Sequence, residues 1–199
     1  MKKILIVGAH GTLGQAISQA LSHHQLIKAG SRRGDALVDL TDGDSIRALF
    51  ERIGKVDAII SATGKLHFGP LAEMSADQFR VGLKDKLMGQ VELALIGQHY
   101  LNAGGSITLT SGIVSEQPIR FGSNASAVNS ALEGFVRGAA AELDGGRRIN
   151  VVSPNVLQES WEQYRDFFPG FEAVPAARAA LAYVRSVEGV QTGQTLRVW

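Results

Sequence analysis

KILIVGAHGTLGQAISQAL, residues 3–21, decides the fold. Ile4, Leu5, Ile6 and Val7 make a short run that is apolar on both faces of a strand, the pattern of a parallel sheet covered by helices on both sides. From Leu13 the period changes: Leu13, Ile17, Ala20 and Leu21 share one helical face, and Gln15, Ser18 and Gln19 take the other. Between strand and helix stand Gly8, Gly11 and Gly14. Gly8 suits the sharp turn out of the strand, Gly11 lets backbone approach a pyrophosphate, and Gly14 lets the helix pack close to the sheet. The helix N-terminus then offers unpaired N–H groups and a positive dipole end to an anion. The spacing is G-x-x-G-x-x-G rather than G-x-G-x-x-G, because Ala9 occupies the place of the latter's first glycine. Thr12 and Leu13 join the loop's expected cofactor contacts, as does His10, which otherwise reads as a solvent-facing turn residue.

Outward from this unit, short Ile- and Val-rich runs alternate with helical periods, without repeats or low-complexity tracts. Strands are expected at 3–7, 26–30, 57–61, 105–110, 148–152 and 195–198, and helices near 43–53, 75–101, 122–143 and 175–187, the last with Pro175 in its first turn. Pro118, Pro154 and Pro169 mark loops. The alternation predicts a three-layer, doubly wound α/β Rossmann fold with a mainly parallel sheet, as one domain over 1–199. One connection is unusual. Too few residues separate 26–30 from ALVDL (36–40) for a crossover helix, so 36–39 is either a short edge strand reached by a bare loop or no strand at all.

Composition excludes several classes. At 199 residues, 45% hydrophobic and 20% charged, the chain reads as an ordinary globular protein, and a net charge of +1 with scattered basic residues gives no field for nucleic acid or an anionic membrane. Without cysteine there is no disulfide and no thiolate metal site; no metal is expected. Lys2 and Lys3 before an apolar run imitate a secretory signal, but the run is too short, and nothing approaches the roughly 18 apolar residues of a membrane span. The expected location is cytoplasmic.

The cofactor's identity is read after the second strand, where an acidic residue would hold a free ribose 2′-hydroxyl. Here AGSRRGD places Ser31, Arg32 and Arg33. Guanidinium groups there favour a 2′-phosphate through charge-assisted, bidentate hydrogen bonds, so NADP(H) is expected over NAD(H).

At this point the chain resembles the short-chain dehydrogenases/reductases through nearly all of its length. GAHGTLG resembles the family's glycine loop, although an orthodox member has glycine at Thr12 rather than Gly11. Asp39 in VDLTD, with Leu40 beside it, resembles the acidic residue near the adenine. SATG (Ser61, Ala62, Thr63, Gly64) resembles the NNAG stretch, keeping the glycine and losing both asparagines. RINVVSPN resembles the segment beside the nicotinamide, with Pro154 retained and Asn155 replacing glycine. QTGQTLRV (191–198) resembles the family's last strand, the chain stopping before the usual C-terminal glycines.

The same resemblance implies a Tyr-x-x-x-Lys motif at the start of the helix within FGSNASAVNSAL (121–132), a stretch without an ionisable side chain. Aligned on that helix, Ala125 replaces the tyrosine and Asn129 the lysine. The expected serine falls on Gly112, with Ser111 adjacent, and the supporting asparagine falls on Lys86. In the family's carbonyl reduction NADPH supplies hydride and a positioned acid protonates the oxygen, so the loss costs roughly 10²- to 10⁴-fold in rate. Lys86 is the candidate replacement, because burial would lower its pKa, and Ser111 is a candidate to orient a carbonyl. A solvated or dimer-facing Lys86 is the plainer alternative. Lys65 and His67 follow SATG at the sheet's C-terminal edge and read as loop residues. The segment 157–173, with Trp161, Tyr164, Phe167, Phe168 and Phe171, resembles the family's substrate lid, and its aromatics either clamp a ligand, cap the core or fill a subunit interface.

Three functions stay open: a reductase of an unknown carbonyl or alcohol substrate with a non-standard proton donor, an inactive NADP(H)-binding sensor, and an assembly module. Helices 75–101 and 122–143 resemble those through which the family pairs subunits, and AVNSALEGFVRGAAAEL within the second is rich in small residues, so a homodimer or homotetramer is expected.

Overall fold

Successive residues of the first strand face opposite layers. In β1 (Lys3–Val7), Leu5 and Val7 pack into one core, while Ile4 and Ile6 pack into the other. The computed structural model describes residues 1–199. β1 lies within a seven-stranded, entirely parallel sheet with β2 (Gln25–Gly30), β3 (Ala36–Leu37), β4 (Val56–Ser61), β5 (Leu101–Thr110), β6 (Arg148–Pro154) and β7 (Thr195–Val198), in the order β3-β2-β1-β4-β5-β6-β7. On one face Ile17 of α1 (Thr12–Ala20) and Ala179, Ala180, Tyr183 and Val187 of α7 (Ala176–Glu188) complete a core. On the other face lie α2 (Gly43–Ile53), α4 (Gly89–Gly97) and α5 (Ser123–Ala140), which contribute Ile46, Leu49, Phe50, Leu93, Leu132 and Val136.

The disputed segment is a strand. β3 pairs parallel to β2 through Ala29–Ala36 and Gly30–Leu37, and only residues 31–35 connect them. A bare loop suffices because β3 is so short, and Asp35 closes the loop by accepting from the Lys28 N–H at 2.9 Å. The expected helix 75–101 is not continuous: α3 (Ala76–Gly82) passes through a π-helical segment, Leu83–Met88, into α4, and a 3₁₀ turn, Gln98–Tyr100, precedes β5. That widened turn carries Lys86, and such turns recur at functional sites. β5 starts four residues before the expected 105, with its register shifted where Gly104 takes a positive φ of 72°. Pro175 caps α7 in extended conformation instead of entering the first turn. The segment 157–173 folds into 3₁₀ turns around a short helix, α6 (Trp161–Tyr164). No helix is long and apolar enough to cross a membrane.

Candidate cofactor crevice and active site

Strand order reverses between β1 and β4, and ligands of doubly wound sheets collect at the carboxyl end of such a switch point. Gly8 leaves β1 at a φ of 83°, and a Cβ there would lie 2.5 Å from the Ala62 carbonyl oxygen. A Cβ at Gly14 would lie 2.1 Å from the Gly8 oxygen, so Gly14 is needed for helix-to-loop packing. At Gly11 the nearest such atom is 3.6 Å away; nothing in the chain fills the space over that residue. Gly11 is also the N-cap of α1, which has neither a side-chain cap nor an acidic residue in its first turn. This uncapped end suits an anion. Thr12 is exposed beside it, and Leu13 packs against the α1–α7 core.

A cleft of about 530 Å³ continues from Gly8, His10 and Gly11 to Gly30, Ser31, Arg32 and Arg33 and contains no acidic residue. Neither arginine is engaged in an ion pair. His10 is not the solvent-facing residue expected: its ring is half-buried against the 30–34 loop, 3.2 Å from a Cβ built on Gly34, and its Nε2 is buried without a partner. Glycines at 30 and 34 leave room for the ring. The Asp39 carboxylate accepts from the Thr41 N–H and hydroxyl at 2.9 and 2.8 Å, which hold it below the usual carboxylate range. Leu40 packs on Gly89 at the start of α4, and Ser61 is hydrogen-bonded to Thr63 at 2.8 Å.

Beyond β4 a second cavity, about 440 Å³, is lined by Gly64, Lys65, Lys86, Ser111, Gly112 and Asn129, by Pro154 and Asn155, and by Phe68, Tyr164 and Phe168. Lys86 is the buried cation of this wall. Its residue is only 7% exposed, its Nζ donates to the Ser111 carbonyl oxygen at 3.0 Å, and burial lowers its pKa from 10.5 to about 8. It is therefore neither solvated nor on an outer face. Its stem crosses Gly64 so closely that a Cβ there would lie 2.3 Å from the Lys86 Cγ. Asn129 is 1% exposed and its Oδ1 has no partner.

Residues 14–192 match the family described as enoyl-(acyl carrier protein) reductase, a branch of the short-chain dehydrogenases/reductases. The chain belongs to the short-chain dehydrogenase/reductase family. Among solved structures it is similar to the Listeria innocua protein lin1944, with 48% identity, TM-score 0.98 and complete coverage of both chains. It is also similar to a small-chain dehydrogenase solved in complex with NADPH, at 26% identity and TM-score 0.87, covering 98% of this chain and 95% of that one. A curated relative, hydroxynaphthalene reductase of Aspergillus fumigatus, is 26% identical over 157 residues, 75% of this chain and 58% of the relative. The chain thus spans a little over half of that reductase's length.

Of the four positions aligned with the family's tetrad, Lys86, Gly112 and Asn129 line this cavity, and Ala125 lies behind its wall. Ala125 lies fully buried in an apolar cluster with Ile113, Val114, Val156 and Phe168. Asn129 sits one turn further along α5. Ser111 does not point its proton at the cavity, since its hydroxyl donates to Glu133 Oε1 at 2.9 Å and shares that oxygen with the Ser115 hydroxyl at 2.7 Å. Glu133 went unnoticed in the sequence. The available signal was position: Ala125, Asn129 and Glu133 recur every fourth residue along the buried face of α5. The lid aromatics divide their work. Phe168 is buried and reaches both the apolar cluster and the cavity wall, while Tyr164 lines the cavity beside Phe68 of the segment after β4, ring centroids 6.4 Å apart. Asn155 ties this segment to β6 by donating to the Glu172 carbonyl at 2.8 Å. Lys65 is exposed at the mouth, and the backbone N–H of half-buried His67 donates to Asn124 Oδ1 at 3.0 Å.

Proposed function

We propose that this chain is a cytoplasmic, NADP(H)-dependent oxidoreductase of a carbonyl or alcohol substrate in which Lys86 takes the proton-donor role. The observation that carries this reading is the Lys86 ammonium, buried in the cavity wall among residues that include no carboxylate. The cofactor fits the residues present: Gly8, Gly11, Gly14 and the uncapped end of α1 suit the diphosphate, with Thr12 and Leu13 beside it. Ser31, Arg32 and Arg33 suit a 2′-phosphate. The bound NADPH of the 26%-identical dehydrogenase supports the same choice. Asp39 and Leu40 flank the adenine end, and Ser61, Ala62, Thr63, Gly64 and Pro154 border the nicotinamide end. When bound, the nicotinamide supplies or removes a hydride.

This chain's own residues then handle the proton. Lys86 is protonated at neutral pH, and its lowered pKa makes it a better donor to an oxygen gaining negative charge. The Ser111 carbonyl orients Nζ, and Glu133 fixes the Ser111 segment through two hydroxyl bonds. Tyr164 and Phe168 of the lid segment form part of the cavity's apolar side. Pairing of copies through α4 and α5 would cover the apolar groove of about 310 Å³ that includes Ala94, Leu95, Phe135 and Leu143.

A second reading, an NADP(H)-binding protein without turnover, draws on Ala125, whose buried methyl leaves no phenol at the motif's usual place. One sample tests both readings. NADPH and NADH are titrated, and a carbonyl panel follows. Tighter NADPH binding with turnover that falls in Lys86→Met supports the enzyme; tight NADPH binding without any turnover supports the second reading; tighter NADH binding refutes the arginine argument.

A further inference from the structure

At the opposite end of the sheet, where β1 and β2 begin, the turn after α1 meets the last residue of α7. His23 and His24 there both direct Nε2 at one oxygen of Glu188, at 2.9 and 3.0 Å. The donor atoms of all three residues lie within 4.8 Å of one another, and the two imidazole centroids are 4.1 Å apart. The His24 side chain is 10% exposed and rests on the Lys2 backbone N–H, which reaches Nδ1 at 3.3 Å. His23 and Glu188, at 59% and 40%, leave the outer side open to water.

We propose that His23, His24 and Glu188 form a binding site for a borderline divalent transition-metal ion, of which Zn²⁺ is the reference, with water completing the coordination. Two imidazoles and one carboxylate match the donor preferences of Zn²⁺, Ni²⁺ and Cu²⁺, whereas Mg²⁺ and Ca²⁺ favour oxygen ligands. Ligand atoms around a tetrahedral Zn²⁺ stand roughly 3.4 Å apart for bonds of about 2.05 Å. The present separations, 2.9 and 3.0 Å to Glu188 and none above 4.8 Å, lie within about 1.4 Å of that value. The ion takes the place of the protons now shared with Glu188. His24 then carries its proton on Nδ1 and gives up the long contact with Lys2, and acid reverses the exchange by protonating the imidazoles. Because α1 and α7 pack on the same sheet face, the ion staples their ends together. The site stands apart from the cofactor crevice and its existence does not depend on the proposed reaction.

The test uses the untagged, chelator-washed full chain. Zn²⁺ is titrated in competition with a chromophoric chelator, and thermal unfolding is followed with Zn²⁺ or Mg²⁺. One Zn²⁺ per chain is expected, with Tm raised by about 5–10 °C when free ion is a hundredfold above Kd, and no comparable rise with Mg²⁺. Affinity is expected to fall at least tenfold in His23→Ala and in Glu188→Gln, whose exposed positions leave the fold intact. An equal response to Mg²⁺, no stoichiometric binding, or binding that survives in the His23→Ala/Glu188→Gln double variant overturns the site; in the last case the ion lies at His10, His67 or His99.

Discussion

Replacing Lys86 with methionine is expected to stabilise the protein near neutrality while removing its turnover. The lysine is charged at pH 7 in a wall that gives it one carbonyl and no counterion. Its displacement from 10.5 to about 8 corresponds to roughly 3 kcal/mol of disfavoured charge, at about 1.4 kcal/mol per tenfold. Methionine keeps an unbranched apolar stem across Gly64 and discards that charge, but it also leaves the Ser111 carbonyl without the Nζ bond, which offsets part of the gain. A net stabilisation of about 1–3 kcal/mol remains, or about 2–10 °C in Tm for a domain of this size. The pH dependence gives a sharper signature. Between about 8 and 10.5 the unfolded lysine holds a proton that the folded one has released, so wild-type stability rises with pH across that window. The variant lacks this contribution, and the difference between the two proteins should shrink from pH 7.5 to 10. Urea denaturation of both proteins at several pH values measures it, and a carbonyl-reduction assay follows the expected loss of about 10²-fold or more. A difference that stays constant with pH, or a variant less stable at pH 7, refutes the burial argument; unchanged turnover refutes the proton-donor role.

Other positions are expected to separate folding from binding. Gly11→Ala should fold normally yet lose NADPH affinity, because its new methyl comes no closer than 3.6 Å to the chain and would stand where the proposed cofactor's diphosphate approaches, whereas Gly14→Ala should fail in thermal unfolding, its Cβ overlapping the Gly8 oxygen at 2.1 Å. Arg32→Ala and Arg33→Ala should each weaken NADPH binding by about 10- to 100-fold and leave NADH nearly unaffected, as fluorescence titration would show. Glu133→Gln replaces a carboxylate that accepts two hydroxyl bonds, and a loss of about 1–3 kcal/mol in urea denaturation is expected. Phe135→Glu, on the apolar groove between α4 and α5, should shift the mass measured by light scattering toward a single chain.

The glycine turn proposed to hold the cofactor was legible because its signals are local. A strand, three glycines and an amphipathic helix lie within 19 consecutive residues (3–21), and each glycine's role follows from its place in the turn. The catalytic half was only partly legible. Lys86 could be named from the resemblance, yet its burial depends on the π-helical turn that aims it and on Gly64 beneath its stem, 22 residues earlier in the chain. Ser111 could be named as well, but the direction of its hydroxyl is set by Glu133 on another helix.

The sequence by itself determined the layered α/β architecture and the glycine turn between the first strand and helix, since apolar period and glycine position act over a few neighbouring residues. Only the tertiary structure decided which polar groups share a wall. It buried an ammonium without a counterion, and it joined two histidines to a glutamate 164 residues away from the nearer one. Such pairings arise when the sheet closes and its covering helices dock, so they leave no local periodicity to read.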